Sequence, residues 1–475
     1  MTEVTISVEG TSTFDGSWPE ELQSVHRSIS DVDFRFREFA RTRPEFLERA
    51  KFSVLDQNRD LLKFSIQPWP TFVGREKLAE FLRVSGGINR LIRQIPTRIF
   101  RNDPEKVSNF YEVGSPVLAE IVLSEPNGVS TALSRGDFIE TRHGFKCIEF
   151  NFTPNLGGWE TSVLVGMHLE VPATAEFIRS SGIEVRYTNT MRKFFFHIID
   201  EATRLGLCPD GELNIALVVS RENSAYRTQT AQKYLNSEYD LAKKELEGKV
   251  HGTIEVCQYG SLVPSGGSLF LNRLKIQALV ELSGEVTPSS VYRCFKANKL
   301  ALLNGPVSPI LSSKQNIALL SEHADSSVFD AEEQHLLRDH IPWTREVTDR
   351  EVDYLGTRVA LPDLLANRRN DLVLKQVRSF GGKDVIVGTY TSDEKWDQHA
   401  RIALQERGWV VQEFMESLPY LFQCGAYGSA SHDVIWGPFY LGETYGGGIL
   451  RMQPKASGGP VNLSLTATEG IMLEV

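Results

Sequence analysis

Residues 133–155, LSRGDFIETRHGFKCIEFNFTPN, hold a grouping of side chains able to bind a metal ion. Two β-like runs flank Thr141-Arg142-His143-Gly144-Phe145, and Gly144 suits a left-handed turn position. A hairpin centred on His143 sets Asp137 opposite Glu149 and Arg135 opposite Asn151, all on one face. Along the second run, alternation puts Ile148, Phe150 and Phe152 on a core face, with Cys147, Glu149 and Asn151 on the other. Two facing carboxylates repel, so at least one is expected to have a raised pKa in the empty hairpin. A hard cation removes the conflict. Two carboxylates and an amide oxygen, completed by phosphate oxygens and water, suit Mg²⁺. The competing reading is a solvated face, since carboxylates are normally exposed. The apolar opposite face and the sequel TPNLGGWE, residues 153–160, favour a binding site.

A second grouping is LVLKQVRSFGGKDVIVG, residues 372–388. Lys375 sits inside an apolar run, which is costly unless the side chain snorkels or meets an anion. Gly381 and Gly382 then permit either an ordinary turn or a loop that closes over phosphates with the backbone amides of Phe380, Gly381, Gly382 and Lys383. A helical pattern follows, with Ser392 as N-cap and Gly408 as stop, and then the strand WVVQEFM, residues 409–415. Strand, glycine loop, strand, helix, strand is a compact lid-like unit.

The common nucleotide and hydrolase signatures are absent. Gly382-Lys383 lacks the first glycine of a P-loop and is followed by Asp384, and Gly446-Gly447-Gly448 is a bare triplet with no G-x-G-x-x-G. There is no G-x-S-x-G elbow and no H-E-x-x-H.

The elements that must position these groups are α/β in texture. From Pro19 to about Tyr111 the pattern is mostly helical around the turn-rich QPWPTF, residues 67–72. Short β-like runs follow: VLAEIVL (117–123), KCIEFNF (146–152), NIALVVS (214–220) and GTIEVCQY (252–259). Helical stretches lie between them, such as residues 189–206, which end at Gly206. Helices are expected over 312–322 and 330–340, and a β- and glycine-rich piece from Tyr420 onward.

A chain of 475 residues has room for two or three domains. Its 41% apolar and 24% charged residues are values of a soluble globular protein. A formal net charge of −10 argues against a nucleic-acid partner. No apolar run approaches the roughly 18 residues of a membrane span, and the N-terminus has no secretory pattern. Cys147, Cys208, Cys257, Cys294 and Cys424 form no C-x-x-C and read as structural thiols of a reducing cytoplasm, the expected location.

Four blocks together resemble the circularly permuted ATP-grasp ligases, the group that includes the glutathionylspermidine synthetase-like enzymes. They are Arg135-x-Asp137 with Glu149-x-Asn151; LLNGPVSPILSSKQNIALLSE with Lys314, leading to HIPWTR; the Lys375 stretch; and WVVQEFM with YGGGILRM, which contains Arg451. Gln376 stands where many relatives have Pro, and Asp384 where Gly is common. The resemblance implies an α/β (α+β) fold: an ATP-grasp core in circularly permuted order, a lid subdomain and a mostly helical N-terminal region. The implied regions are 1–115, the helical part; 116–310, with the metal hairpin and substrate site; and 311–475, the nucleotide-binding part. The implied activity is ATP-dependent phosphorylation of a small amino acid or peptide-like carboxylate, followed by attack of an amine to give an amide. ATP and Mg²⁺ are the implied cofactors. Asp137, Glu149 and Asn151 would hold the metal. Lys314, Lys375 and the loop Phe380–Gly381–Gly382–Lys383 would meet phosphates, and Gln412, Glu413 and Phe414 would meet the base. Arg135 would stabilise the group in transfer, and Arg451 would neutralise phosphate.

Substrate contacts are expected from Asn155, Trp159 and Glu160, which follow the metal strand, and from Arg221 and Asn223, which leave a strand end. For the last two a solvated loop is the competing reading. The expected partners are small-molecule carboxylates and amines, and a homo-oligomer is compatible with the sequence. Two alternatives stay open: a carboxylate kinase with no amine acceptor, and a non-catalytic nucleotide-binding protein.

Overall fold

In the computed structural model, residues 18–43, 62, 64–112, 132–220, 225–378, 384–424, 428–461 and 467–475 are described. Apolar residues at helical spacing build the N-terminal part. In the helix Glu20–Ile29, Leu22, Val25, His26 and Ile29 line one buried face. Ser30 caps the next helix, Asp31–Arg41, by accepting from Asp33 N at 2.9 Å. A fully buried trio fastens the two helices to the body. His26 Nδ1 lies 2.5 Å from Asp33 Oδ2, and Arg37 Nη2 lies 3.2 Å from Asp33 Oδ1. Leu421 N donates to His26 Nε2 at 2.8 Å, which leaves the imidazole proton on Nδ1.

Strands are numbered in chain order. Among the described residues the largest sheet has seven. Its order is β1 (Thr71–Val73), β20 (Thr468–Glu474), β19 (Thr444–Pro454), β18 (Gly428–Leu441), β2 (Leu133–Thr141) and β3 (Gly144–Asn151), with β17 (Tyr420–Cys424) also paired to β18. It draws strands from all three stretches 1–115, 116–310 and 311–475. The 24-residue helix Arg75–Arg98 packs against β2, β3 and β18 with Phe81, Val84, Ile88 and Leu91 buried.

A second sheet is parallel: β10 (Ala301–Leu303), β9 (Ala278–Glu281), β4 (Ile215–Val218) and β5 (Ile254–Cys257). The helix Ala225–Glu245 lies between β4 and β5 in the chain, the crossover that parallel neighbours require. Beyond β10, the Asn304 amide accepts from Leu133 N and donates to Leu133 O, both at 2.7 Å, which ties this sheet to β2. The smaller units are β6 (Leu262–Ser265), β7 (Ser268–Leu271) and β8 (Leu274–Ile276) in one sheet, and the hairpin of β12 (Glu351–Tyr354) and β13 (Thr357–Ala360).

The Lys375 stretch belongs to an antiparallel sheet of β11 (Thr344–Glu346), β16 (Trp409–Glu413), β14 (Leu372–Gln376) and β15 (Val385–Val387). The helix Asp393–Gln405 buries Trp396 between these strands and the helix Leu361–Asn367, where the indole N–H donates to Leu365 O at 2.8 Å.

The architecture is the mixed α/β fold that the alternating strand and helix patterns suggest. Some elements differ from expectation. The run VLAEIVL lies outside the described residues. The helix expected over 312–322 begins only at Gln315 and runs to Glu322, after a separate short helix Ser308–Leu311. Between them, Ser312 Oγ accepts from Phe152 N at 2.9 Å, which pins the break beside the end of β3. Lys314 therefore stands at the N-cap of the second helix.

Candidate active site

The hairpin pairs Asp137 with Glu149 and Arg135 with Asn151. It reaches that register by an unexpected route. The turn closes on Arg142 and His143, with Thr141 opposite Gly144, and the register shifts by one between Asp137 and Phe138. The residue left over on β3 is Ile148, a bulge. This corrects the simple alternation. Cys147 faces Phe138 and joins the core, while Ile148 lines the cavity with Glu149 and Asn151. A bulge exposes backbone groups that a regular ladder would consume, and the Ile148 carbonyl accepts from Lys375 Nζ at 2.9 Å.

A cavity of about 420 Å³ lies between the large sheet and the lid-like sheet. Arg135, Asp137, Glu149, Asn151 and Asn155 line one wall, with Arg451 from β19. Lys314, Lys375, Gln412, Glu413 and Phe414 line the other. Two further candidates do not reach it. Trp159 packs edge-on against Phe194, ring centroids 4.7 Å apart, in the core beneath the parallel sheet. Glu160 stands at the N-cap of the helix Thr161–Glu170 and is not among the residues of the cavity wall. Phe380, Gly381, Gly382, Lys383, Arg221 and Asn223 lie outside the described residues.

Asp137 is held by two guanidinium groups. Arg451 Nη2 stands 2.5 Å from its Oδ1, and Arg135 Nε stands 3.2 Å from the same oxygen. Gly437 on β18 leaves room for this, because a Cβ there would lie 3.4 Å from Arg135 Cδ and 3.3 Å from Ile449 O. Arg135 also donates to the Leu156 carbonyl. Burial pushes the Asp137 pKa up, but Arg451 and Arg135 outweigh it and hold the carboxyl below its ordinary range. For Asp137 this is opposite to the raised value expected of a facing acid pair. The repulsion argument lacked the cations that arrive from other elements. Glu149 has its own, with Lys314 Nζ 3.4 Å from Oε1.

Lys375 is buried and donates to Gln412 Oε1 at 2.7 Å as well as to Ile148. The amide of Gln412 is oriented in turn by a 3.1 Å bond to Thr344 Oγ1. Burial depresses the Lys375 pKa to about 8; Glu149 pulls it up and Lys314 pushes it down. At this end of the cavity four basic side chains, Arg135, Lys314, Lys375 and Arg451, surround two carboxylates. The hairpin end of the pocket thus has a local positive excess, which suits a polyanion, while Glu413, Glu416 and Asp433 with Lys455 make the rest of the lining acidic.

The other end is more apolar, with Val373, Val385, Val387, Phe414 and Tyr390. Glu413 N already donates to Trp343 O at 2.8 Å and Phe414 N to Asp371 O at 2.7 Å, so a base here would meet other groups. Sequence reasoning missed Lys455, which stands 3.1 Å from Glu416 and 3.6 Å from Asp433 along the same cavity. Nothing local marks this residue; only its place just after β19, the strand of Arg451, does.

Among the described residues no three His, Cys, Asp or Glu gather as a metal cluster. The hairpin offers two carboxylates and an amide oxygen on one face instead. That donor set fits Mg²⁺, which takes one or two carboxylates and fills its shell with water and phosphate oxygens.

No protein-family model and no curated protein matches the sequence. Solved structures do. A glutathione synthetase-like effector from Globodera pallida superposes with a TM-score of 0.53 at 10% identity, covering 97% of this chain and 98% of that one. At that identity the likeness shows the fold alone. A structure from Methylobacillus flagellatus KT, assigned as a gamma-glutamylcysteine synthetase, gives a TM-score of 0.39 at 8% identity over 80% of this chain and 88% of that one, too distant to support an argument. Among the described residues no helix is long and apolar enough to cross a membrane.

Proposed function

We propose that this protein is an ATP- and Mg²⁺-dependent carboxylate–amine ligase with an ATP-grasp core in circularly permuted order. The observation that carries the reading is the convergence of Arg135, Lys314, Lys375 and Arg451 on the opposed pair Asp137 and Glu149 inside one cavity. Surplus positive charge around two carboxylates is what a metal-bound polyphosphate needs. The fold shared with a glutathione synthetase-like effector supports the same class.

In this reading ATP phosphates lie between the hairpin and β14. Phosphoryl transfer is chiefly positioning and charge neutralisation. Asp137, Glu149 and Asn151 would hold Mg²⁺, which neutralises phosphate charge when bound. Lys314 and Lys375 contact phosphate oxygens as point charges. Arg135 and Arg451 orient the substrate carboxylate and stabilise the charge that develops as it takes the γ-phosphoryl group. The apolar end with Val373, Val387 and Phe414 takes the base. An amine then attacks the acyl phosphate: the C–N bond forms, the C–O bond to phosphate breaks, and the protons lost by nitrogen leave with phosphate or to solvent.

The test is product analysis. Purified protein with ATP, Mg²⁺ and a library of amino acids and small peptides should release ADP and phosphate and yield a new amide by mass spectrometry, only when carboxylate and amine are both present. Release of ADP with a carboxylate alone and no amide under any amine would replace the ligase by a carboxylate kinase.

A further inference from the structure

Lys314 and Lys375 reach the cavity from different elements, yet both segments are fastened to one residue of the N-terminal helical part. Tyr111 ends the helix Pro104–Tyr111 and is buried. Its ring packs against Phe100 and Phe110, with centroids 5.7 and 4.9 Å away. Its hydroxyl donates to Asn316 Oδ1 at 2.6 Å. Its carbonyl accepts from Arg378 Nη2 at 2.8 Å, and the carbonyl of Glu112 accepts from the same nitrogen at 2.7 Å. Glu112 closes the helix at φ 48°, a left-handed cap that sets the two carbonyls on one guanidinium.

Each bond acts on one lysine. Asn316 lies two residues after Lys314 and is buried in the helix Gln315–Glu322. The short helix Ser308–Leu311 ends with carbonyls that have no helical successor. The Asn316 amide donates to those of Ile310 and Leu311, both at 2.9 Å, which makes a fixed corner of an end that would otherwise fray. The Tyr111 hydroxyl selects the rotation of that amide, because only one orientation gives oxygen to the phenol and nitrogen to the carbonyls. Burial and the charge of Glu346 push the phenol pKa up, so it stays a donor. Lys314 stands on this corner, with Nζ 3.4 Å from Glu149 Oε1. Arg378 lies three residues after Lys375, just past the end of β14. Its hold on the two carbonyls, with Glu112 Oε2 3.5 Å away, anchors that strand end to the helix.

We infer that Tyr111 is a positioning residue for both lysines: its hydroxyl sets Lys314 against Glu149, and its carbonyl, through Arg378, holds the strand that carries Lys375; this rests on the ligase reading only for the ligand that the lysines meet. A lysine is a point charge on a flexible four-carbon stem, so its place is only as fixed as the backbone that bears it. Tyr111 does not line the cavity and acts through the two lysines alone. The N-terminal helical part thereby has a task in the site. A third link, from Gln315 Nε2 to Glu346 Oε1, holds the Lys314 corner to β11 and is left intact by the substitutions below.

The test uses the whole protein and two substitutions that spare the packing. Tyr111→Phe keeps the ring and the carbonyl and removes only the hydroxyl. Arg378→Gln alters a side chain that is 62% exposed, so it does not threaten the fold. Each is measured alone and combined with Lys314→Met or Lys375→Met, by calorimetry with Mg²⁺ and ADP. Each alone should weaken ADP binding by about fivefold, the worth of one lost hydrogen bond. The effect of Tyr111→Phe should vanish beside Lys314→Met and persist beside Lys375→Met. The effect of Arg378→Gln should do the reverse. The same loss in every background, or no loss at all, overturns the positioning role. A second readout needs no nucleotide. In empty protein labelled with ¹⁵N at lysine, the ammonium signals of Lys314 and Lys375 are assigned by their loss in the Met variants. Tyr111→Phe should move the Lys314 signal and leave that of Lys375 in place, and Arg378→Gln should do the opposite. If these shifts appear and the parent binds no ADP, the ligase reading falls and Tyr111 keeps its role. If ADP binds and the crossed pattern is absent, the role falls and the ligase reading stands.

Discussion

The ammonium of Lys375 donates to the carbonyl oxygen of Ile148 at 2.9 Å, although the two residues lie 227 apart in the chain. This bond joins the lid-like sheet to the bulge of the hairpin. It also shows how the empty protein handles a buried charge, by lending it a bulge carbonyl and the Gln412 amide oxygen, both groups that an anion can replace.

Nucleotide affinity should therefore depend on pH through Lys375. Its pKa is about 8 in the folded protein, so the charged form needed by phosphate is present below that pH and lost above it. Calorimetry with Mg²⁺ and ADP should give a constant affinity up to about pH 7 and a decline toward about pH 9, a limb that Lys375→Arg removes because arginine stays charged. A flat profile in the parent would remove Lys375 from the phosphate site.

The same depression has a stability consequence. An unfolded lysine titrates near about 10.4, so between about pH 8 and that value the unfolded chain binds more protons and stability rises with pH. Below that window the buried charge is a standing cost. Lys375→Met should leave the empty protein at least as stable as the parent at neutral pH in thermal melts, while ADP affinity falls by about tenfold, the loss of one charge-assisted contact. A clear loss of stability would mean that the bonds to Ile148 and Gln412 outweigh the burial of charge.

Glu149→Gln separates metal chemistry from folding. The ion pair between Glu149 and Lys314 spans 3.4 Å, and its carboxylate side is 20% exposed, so its removal should change stability by no more than about 1 kcal/mol. Mg²⁺-dependent turnover should drop by roughly a hundredfold or more, as expected when one group that positions charge for the transition state is lost. Urea melts run beside the ligase assay give both numbers. Near-parental activity would remove Glu149 from the metal set.

Asp137→Asn should behave differently, because it strands Arg135 and Arg451 without a counter-charge. We expect a loss of about 3 kcal/mol. Since the Asp137 pKa is depressed, its contribution is present above the ordinary carboxyl pKa and disappears as pH falls through the lowered folded value. The gap between parent and variant should thus close in strong acid. Adding Arg451→Met to Asp137→Asn should recover part of the loss; strict additivity of the two would show that they do not interact.

Gly158→Ala should disturb the site from below. Gly158 has φ 86°, and a Cβ would lie 2.7 Å from the Phe439 ring, which packs with Leu156 and Ile449. Leu156 supplies the carbonyl that holds Arg135. A loss of about 1–3 kcal/mol in urea melts is expected from the strained backbone and the displaced ring. A neutral substitution would show that the loop relaxes freely.

The sequence by itself determined the pieces whose causes lie within a few residues. Alternation and Gly144 specify a hairpin at this place, whereas the pairing of Asp137 with Glu149 depends on the bulge at Ile148. Apolar spacing specifies the helices around it, and the lysine in an apolar run marks β14 as unusual. Tertiary structure alone decided what those pieces mean to each other. The bulge at Ile148 turns Cys147 toward the core and leaves the Ile148 carbonyl to Lys375, and no local pattern records that. Asp137 is kept ionised by Arg135 beside it and by Arg451 from β19. Such convergence depends on which strands become neighbours. Burial of the whole sheet sets that order, whereas the alternation within any one strand is compatible with several.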